Sequence, residues 1–325
     1  MLAAGYAWWL PPDASEHGES IDSLIVIVHW FMALLFVGWG AFFLYCLFRF
    51  RQRAGHQPTA KLPKAKASKI SEILVIVVEA VLLLGFSIPI WGRVRGSGHV
   101  PKPEDAMVIR VVAEQFQWNV HYAGKDGVFG RTDAALMSKE NPLGLDREDP
   151  EAKDDIVKNN QMHIPVNRDI LVHLSSKDVI HSFGVPILRV KQDVIPGISQ
   201  PVWFKATKTT DDIRLEMVDT YRTNPKIAHL LIDHVAMAEY KGSDGSVLLA
   251  KGDLINEEML TTLSSAGVEQ IEAAPRVPTQ IACAQLCGLN HFRMRGFLHI
   301  DSETQFAEWV AEEEELLAEE EDEGY

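Results

Sequence analysis

Residues 282–294 read Ala-Cys-Ala-Gln-Leu-Cys-Gly-Leu-Asn-His-Phe-Arg-Met, which puts Cys283, Cys287, His291 and Met294 within twelve residues at the spacing Cys-x3-Cys-x3-His-x2-Met. Thiolate and imidazole together suit copper or zinc, and a thioether favours copper because zinc rarely takes methionine. A mononuclear blue-copper site takes one Cys, two His and a weak axial Met, so the second cysteine is surplus to that recipe. Two thiolates can instead bridge two copper ions, each capped by one imidazole, with Met294 as a weak terminal ligand. Three other arrangements use the same residues. A Cys283–Cys287 disulfide leaves His291 and Met294 without a role. A structural zinc site of two Cys and two His is a second, and a single copper beside an idle thiol is a third.

A second imidazole has to come from elsewhere in the chain. His181 is the candidate, in Ser-Lys-Asp-Val-Ile-His-Ser-Phe-Gly-Val-Pro (176–186), after a strand-like run. In a β-sandwich a strand end and a distant loop meet at one pole, so the 102 residues between His181 and Cys283 are no obstacle. The surrounding pattern fits. Met107–Ala113, Ile170–Leu174, Val202–Ala206 and Phe297–Ile300 are short runs rich in branched or aromatic residues, separated by Gly and Pro clusters. That pattern predicts an antiparallel sandwich or barrel over 104–208 and 279–300. Residues 123–160 read as a long surface loop. Residues 209–278 read as a small inserted α/β lobe with a turn at 241–245, an apolar run at 246–250 and a helix at 256–266. Its stretch from Leu248 to Ala273 resembles a strand–helix–strand module of large multisubunit enzymes and assigns no activity.

Upstream the composition changes. Ser23–Phe48 is an uncharged apolar run of 26 residues, and Ile70–Trp91 is another of 22, interrupted only by Glu72 and Glu79. About 20 helical residues cross ~30 Å of hydrocarbon, so 23–95 is predicted to be a transmembrane hairpin. Its connection, 49–69, carries seven Lys and Arg, among them Lys61 and Lys64, and no acid; residues 1–22 carry four acids and no Lys or Arg. Basic connections stay cytoplasmic, so both termini are expected on the outer side. Trp8, Trp9 and Trp91 suit the outer boundary. The first run is too long for a signal-peptide core and has no basic segment before it, so it reads as retained. Glu79 would lie ~14 Å along the helix from Ile70, a costly depth that makes it a functional candidate, while Glu72 reads as an interfacial helix-start residue.

The net charge of −14 is mostly a terminal effect: residues 301–325 hold 12 acids and no Lys or Arg. Such a tail reads as a solvated face or a frayed end, with a basic protein partner as the sharper alternative. Three cysteines are too few for a disulfide framework, and Cys46 lies within the first apolar run as an inert filler.

The 282–294 motif resembles the CuA loop of cytochrome c oxidase subunit II, and Asp178–Gly197 is similar to that family's other signature, which holds its first histidine ligand. The hairpin and the aromatic segment Gln115–Tyr122 are similar too. The resemblance implies a cupredoxin-like Greek-key sandwich anchored by two spans in the bacterial cytoplasmic membrane, both termini periplasmic. It implies a dinuclear copper centre bridged by Cys283 and Cys287, with His181 and His291 as imidazole ligands, Met294 as the weak one and Gln285 giving its backbone carbonyl. It further implies electron entry from a cytochrome c and transfer to haem in subunit I, with subunit III as a further partner, in a proton-translocating oxidase. Oxygen chemistry would then belong to subunit I; no Cys-x-x-Cys-His haem motif occurs here.

This chain departs from the family pattern in three places. Many members carry Glu where Gln285 stands, and its charge helps hold a magnesium or manganese ion at the subunit boundary; Gln285 keeps the carbonyl and lacks the charge. The family's electron-entry Trp aligns with Phe116, while Trp118 matches the next aromatic, for which core packing is the plainer role. The proton-entry Glu has two candidates, Glu79 ahead of Glu72, and neither has the usual neighbours. Related functions remain to be weighed: the CuA subunit of a nitric-oxide reductase, and, in a different class, a membrane-tethered copper chaperone, which predicts exposed Cys or Met pairs. A quinol-oxidase subunit lacks these copper ligands.

Overall fold

The computed structural model describes residues 10–55, 66–96 and 98–322. The chain divides into two units, residues 17–100 and the remainder. In the first, helix α1 (Gly18–Arg49) runs for 32 residues, about 48 Å at ~1.5 Å per residue, and starts before the expected apolar run. Helix α2 (Lys66–Leu82) passes through a π-helical turn at Leu83–Ser87 into α3 (Ile88–Arg95). The cause lies at Pro89, which has no N–H to offer the Gly85 carbonyl and whose ring crowds it, so the hydrogen-bond ladder widens there. Neither apolar helix is buried within the structure: Leu34 and Phe36 are 70% and 80% exposed. Helices of a soluble core would hide such side chains, so the length, composition and exposure of these two are consistent with membrane anchors. Trp91 is exposed on α3; Trp8, Trp9, Lys61 and Lys64 lie outside the described residues.

The second unit is built on two five-stranded sheets. The strands before the lobe are β1 (Met107–Glu114), β2 (Gln117–Tyr122), β3 (Ile156–Asn159), β4 (Gln161–Pro165), β5 (Asp169–Ser176), β6 (His181–Val185), β7 (Val190–Val194) and β8 (Gln200–Lys205). The lobe contributes β9 (Asp219–Arg222), β10 (His234–Ala236), β11 (Tyr240–Lys241), β12 (Val247–Leu249) and β13 (Gln270–Pro275). After it come β14 (Gln280–Cys283) and β15 (Arg295–Asp301). One sheet has the order β3-β2-β1-β5-β8 and the other β4-β15-β14-β6-β7. Alternation along β1 sets the faces: Ile109, Val111 and Ala113 are fully buried while Arg110 points outward. The sheets are mixed, which corrects the antiparallel expectation. β1 runs parallel to β5 and β4 parallel to β15. Such pairs join segments far apart in sequence, so no local turn signal announces them.

Residues 10–16 belong to the sandwich unit. Ala14 is fully buried, its N–H donates to the Ile187 carbonyl at 3.1 Å, and its carbonyl accepts from Thr207. Two boundaries move. The expected loop 123–160 ends earlier, because 156–159 is the edge strand β3; the rest folds back onto the sheet and buries Leu143, Leu145 and Asp155. Helix α4 (Thr210–Glu216), expected in the lobe, plants Ile213 in the sandwich core. The lobe has its own small core around Leu231, Leu249, Leu260 and Leu263, with helix α5 (Glu257–Ser265) capped by the Asn256 side chain at 2.8 Å from Met259 N.

The acidic tail is neither frayed nor wholly solvated through residue 322. It forms helix α6 (Glu303–Asp322), which packs Trp309 and Leu317 against the sandwich. The Trp309 ring stacks on His163 at 4.4 Å, and His163 on His299 at 4.2 Å. Glu313 and Glu314 pair with Lys158 and Lys125.

Candidate metal centre

Three connections meet at one pole of the sandwich. β6 starts with His181, β14 ends with Cys283, and these strands pair with Cys283 opposite Phe183. The 284–294 loop joins β14 to β15, and the β1–β2 turn comes up beside it. The loop is tied at both ends: Ala284 N–H donates to Ser182 O at 2.9 Å, and Cys283 N–H to Met294 O at 3.2 Å. Between them a 3-10 turn, His291–Arg293, sets His291 and Met294 on the side of the cysteines. Gly288 has φ +133°, and a Cβ there would lie 2.7 Å from Gln115 Nε2 and 3.1 Å from the Phe116 ring. Only glycine allows the loop to lie this close to the β1–β2 turn.

The ligand atoms form a short chain in space. His181 Nδ1 lies 3.8 Å from Cys283 Sγ, the two sulfurs are 3.7 Å apart, and Cys287 Sγ lies 3.5 Å from His291 Nδ1 and 3.7 Å from Met294 Sδ. The Gln285 carbonyl oxygen is 3.1 Å from Cys283 Sγ. His181, Cys283, Cys287 and Met294 are buried, and both cysteines are free thiols. The ligand atoms of His181, Cys283 and Cys287 fall within 4.8 Å of one another. Of the six residues expected at the site, every one is brought here.

Burial opposes the Cys283 thiolate, yet the His181 hydrogen bond and the backbone at Gln285 and Ser182 hold its thiol well below the ordinary value. Burial pushes Cys287 the other way, reinforced by the Cys283 sulfur. Burial also opposes the His181 imidazolium, but Cys283 and Asp178 raise its pKa. Two sulfurs this close cannot both be anionic without a counter-charge, so this donor set is one that a bound cation completes.

Two supporting residues had no assigned role in the sequence reading. Asp178 accepts from His181 Nε2 at 2.8 Å and from Gln115 N–H at 2.7 Å, which turns His181 Nδ1 toward the sulfurs. Gln115 Nε2 donates to the Cys287 carbonyl at 2.5 Å and pins the loop. An Asp three positions before a ligand His was the available signal. Phe116 is half-buried against the core beside Gly288. Trp118 is fully buried, edge-on to His181 and to Phe183 at 6.2 and 5.6 Å, which is a packing position. Leu286, Leu289 and Phe292 of the loop are 76%, 95% and 76% exposed and give it an apolar crown.

In the helical unit, Glu79 is exposed on α2 and lines a cavity of about 340 Å³ with Phe31 and Met32 of α1 and Leu83 of the π turn. Glu72 accepts from the Ser68 hydroxyl at 3.0 Å and lies in the second turn of α2, not at its start.

The family model described as cytochrome c oxidase subunit II, periplasmic domain, matches residues 107–211. An alternative cytochrome c oxidase subunit 2 of Bradyrhizobium diazoefficiens is 34% identical over 203 residues, covering 62% of this chain and 71% of that protein. A cytochrome c oxidase subunit 2 of Cereibacter sphaeroides is 24% identical over 216 residues, covering 61% and 68%. Among solved structures, the periplasmic domain of a cytochrome oxidase subunit II of Bradyrhizobium japonicum is 21% identical, covering 67% of this chain and 99% of that one, with a TM-score of 0.34.

Proposed function

This chain belongs to the cytochrome c oxidase subunit II family, and from that premise we propose that it is the electron-entry subunit, holding a dinuclear CuA centre between a cytochrome c and the haem of subunit I. One observation carries the reading: each imidazole meets a different sulfur of a pair 3.7 Å apart. A single tetrahedral ion with bonds of ~2.3 Å holds all its donors within about 3.8 Å of each other. His291 stands outside the compact group of His181, Cys283 and Cys287, joined to it through Cys287. That arrangement favours two ions over one structural zinc or one blue copper. Buried cysteines and a buried methionine argue against a chaperone that must hand its metal on.

Cys283 and Cys287 would bridge the metals, His181 and His291 would cap one each, and Met294 and the Gln285 carbonyl would be the weak donors. When bound, such a pair supplies one-electron transfer with its charge shared over two nuclei. The protein's part is rigidity. Asp178 fixes the His181 ring and Gln115 fixes the loop carbonyl, so the cage has little freedom to relax when its charge changes. Water is kept from the sulfurs by burial, and Trp118 packs against His181. The crown of Leu286, Leu289 and Phe292 offers a donor protein an apolar contact directly over the loop.

The orientation follows the same account. Residues 10–16 and the sandwich lie in one unit, which supports a hairpin with both ends on one side, the periplasmic one by the basic connection 49–69. Glu79, a carboxylate amid apolar helix, is the proton-path candidate, and subunits I and III are the expected membrane partners. Gln285 lacks the charge that would help hold a magnesium ion. The test is metal analysis of the copper-reconstituted full-length chain. Two copper per chain is expected; one copper, or retention of zinc in preference, would contradict the assignment.

A further inference from the structure

The outer face of the first sheet and residues 123–155 enclose a cavity of about 570 Å³. That is within the ~300–1,000 Å³ usual for small-molecule sites. Its floor is set by register: Arg110 stands opposite His173 and Val112 opposite Ser175 on the parallel strands β1 and β5. Because Ile109 and Val111 face the core, these four face the cavity. Met137 and Leu143 of the covering segment supply an apolar wall, and Ser199 stands at the edge.

The polar groups fall into two kinds. Two groups of the lining already have carboxylates: Lys177 pairs with Glu114 at 2.8 Å and His121 with Asp155 at 2.7 Å. Arg110 has no ion-pair partner within 4.0 Å among the described residues. It is nevertheless held in place, its guanidinium 4.0 Å from the Phe129 ring centroid. The side chains of His173, Ser175 and Ser199 make no hydrogen bond among the described residues. Burial, helped by Arg110, pushes the His173 imidazole below its ordinary pKa, so at neutral pH it is uncharged and keeps one N–H to give. An ordered cation beside unengaged donors, with an apolar wall opposite, is recognition chemistry for an amphiphilic anion.

We propose that this cavity binds a small organic acid, its carboxylate held by Arg110 with His173, Ser175 and Ser199, and its apolar body against Val112, Met137 and Leu143. Inorganic phosphate would satisfy the cation but leave the apolar wall unused. None of the six residues gathered at the candidate metal centre lines this cavity, so its occupancy can be read with the copper site intact.

The experiment is isothermal titration calorimetry of the full-length chain in lipid nanodiscs, against empty nanodiscs, with hexanoate, hexanamide and inorganic phosphate as probes. Hexanoate is expected to bind saturably, hexanamide and phosphate at least tenfold more weakly. Arg110→Gln should weaken hexanoate at least tenfold. Ser175→Leu, which fills the cavity without touching the charge, should do the same, and Lys102→Gln, an exposed cation elsewhere, should not. An unchanged copper content shows that each variant is folded. Absence of saturable hexanoate binding, equal binding of hexanamide or phosphate, or wild-type affinity in a folded Arg110→Gln chain would overturn the proposal.

Discussion

Replacing Asp178 by Asn tests the mechanical core of the metal site. Asp178 accepts from His181 Nε2 at 2.8 Å through one oxygen and from Gln115 N–H at 2.7 Å through the other. His181 Nδ1 faces Cys283 Sγ at 3.8 Å; with Nδ1 given to a bound metal the proton would sit on Nε2, and the carboxylate would both fix that tautomer and aim the ring. An amide has one acceptor oxygen. Whichever way the substituted amide turns, its NH2 meets a donor, either His181 Nε2–H or Gln115 N–H. One charge-assisted hydrogen bond is therefore lost, and two donors are left facing each other. The lost bond is worth ~1.5–3 kcal/mol in a buried setting, and the Asp178 side chain is 30% exposed, so the lower half of that range applies. At ~1.4 kcal/mol per tenfold, copper should bind about 12- to 40-fold more weakly. The assay is competition with a chromogenic copper(I) chelator, following reconstituted wild type and Asp178→Asn side by side. An affinity within twofold of wild type would refute the claim that Asp178 orients a ligand.

Three further substitutions probe other parts of the account. Cys287→Ser removes one bridge and should reduce copper content to one ion per chain or none, read by metal analysis. Gly288→Ala places a Cβ 2.7 Å from Gln115 Nε2 at φ +133°; strain of about 1–3 kcal/mol should lower copper loading and the thermal midpoint together. His299 is depressed from 6.5 to about 4, chiefly by burial and then by His163. The unfolded chain then holds this proton more tightly than the folded one. Stability contributed here is complete above pH ~6.5, falls with pH through the window between, and is lost below pH ~4, by up to about 3 kcal/mol. His299→Gln should flatten the unfolding free energy of the sandwich unit across that window, measured by tryptophan fluorescence of the full-length chain.

The candidate metal centre was legible because its chemistry is concentrated. Cys283, Cys287, His291 and Met294 sit within twelve residues, and few structural needs produce that set. His181 was found because a sandwich lets a strand start meet a distant loop. Asp178 and Gln115 escaped assignment because a carboxylate or amide that orients a ligand looks, in sequence, like any exposed polar residue. The two apolar helices were plain in their hydropathy, but the π turn required reading Pro89 as a missing donor to Gly85. The tail misled by composition. Its glutamates read as solvation, while Trp309 and Leu317, eight residues apart on one helical face, carry the packing. Strand β3 lay hidden because Ile-Val-Lys-Asn is too short to show alternation, and α4 changed sides because Ile213 alone decides where that helix docks.

The central claim is that two copper ions share the two thiolates. Electron paramagnetic resonance of the copper-reconstituted, oxidised full-length chain tests it most directly. The account predicts a hyperfine pattern from one unpaired electron spread equally over two copper nuclei; a pattern from a single copper nucleus would contradict it.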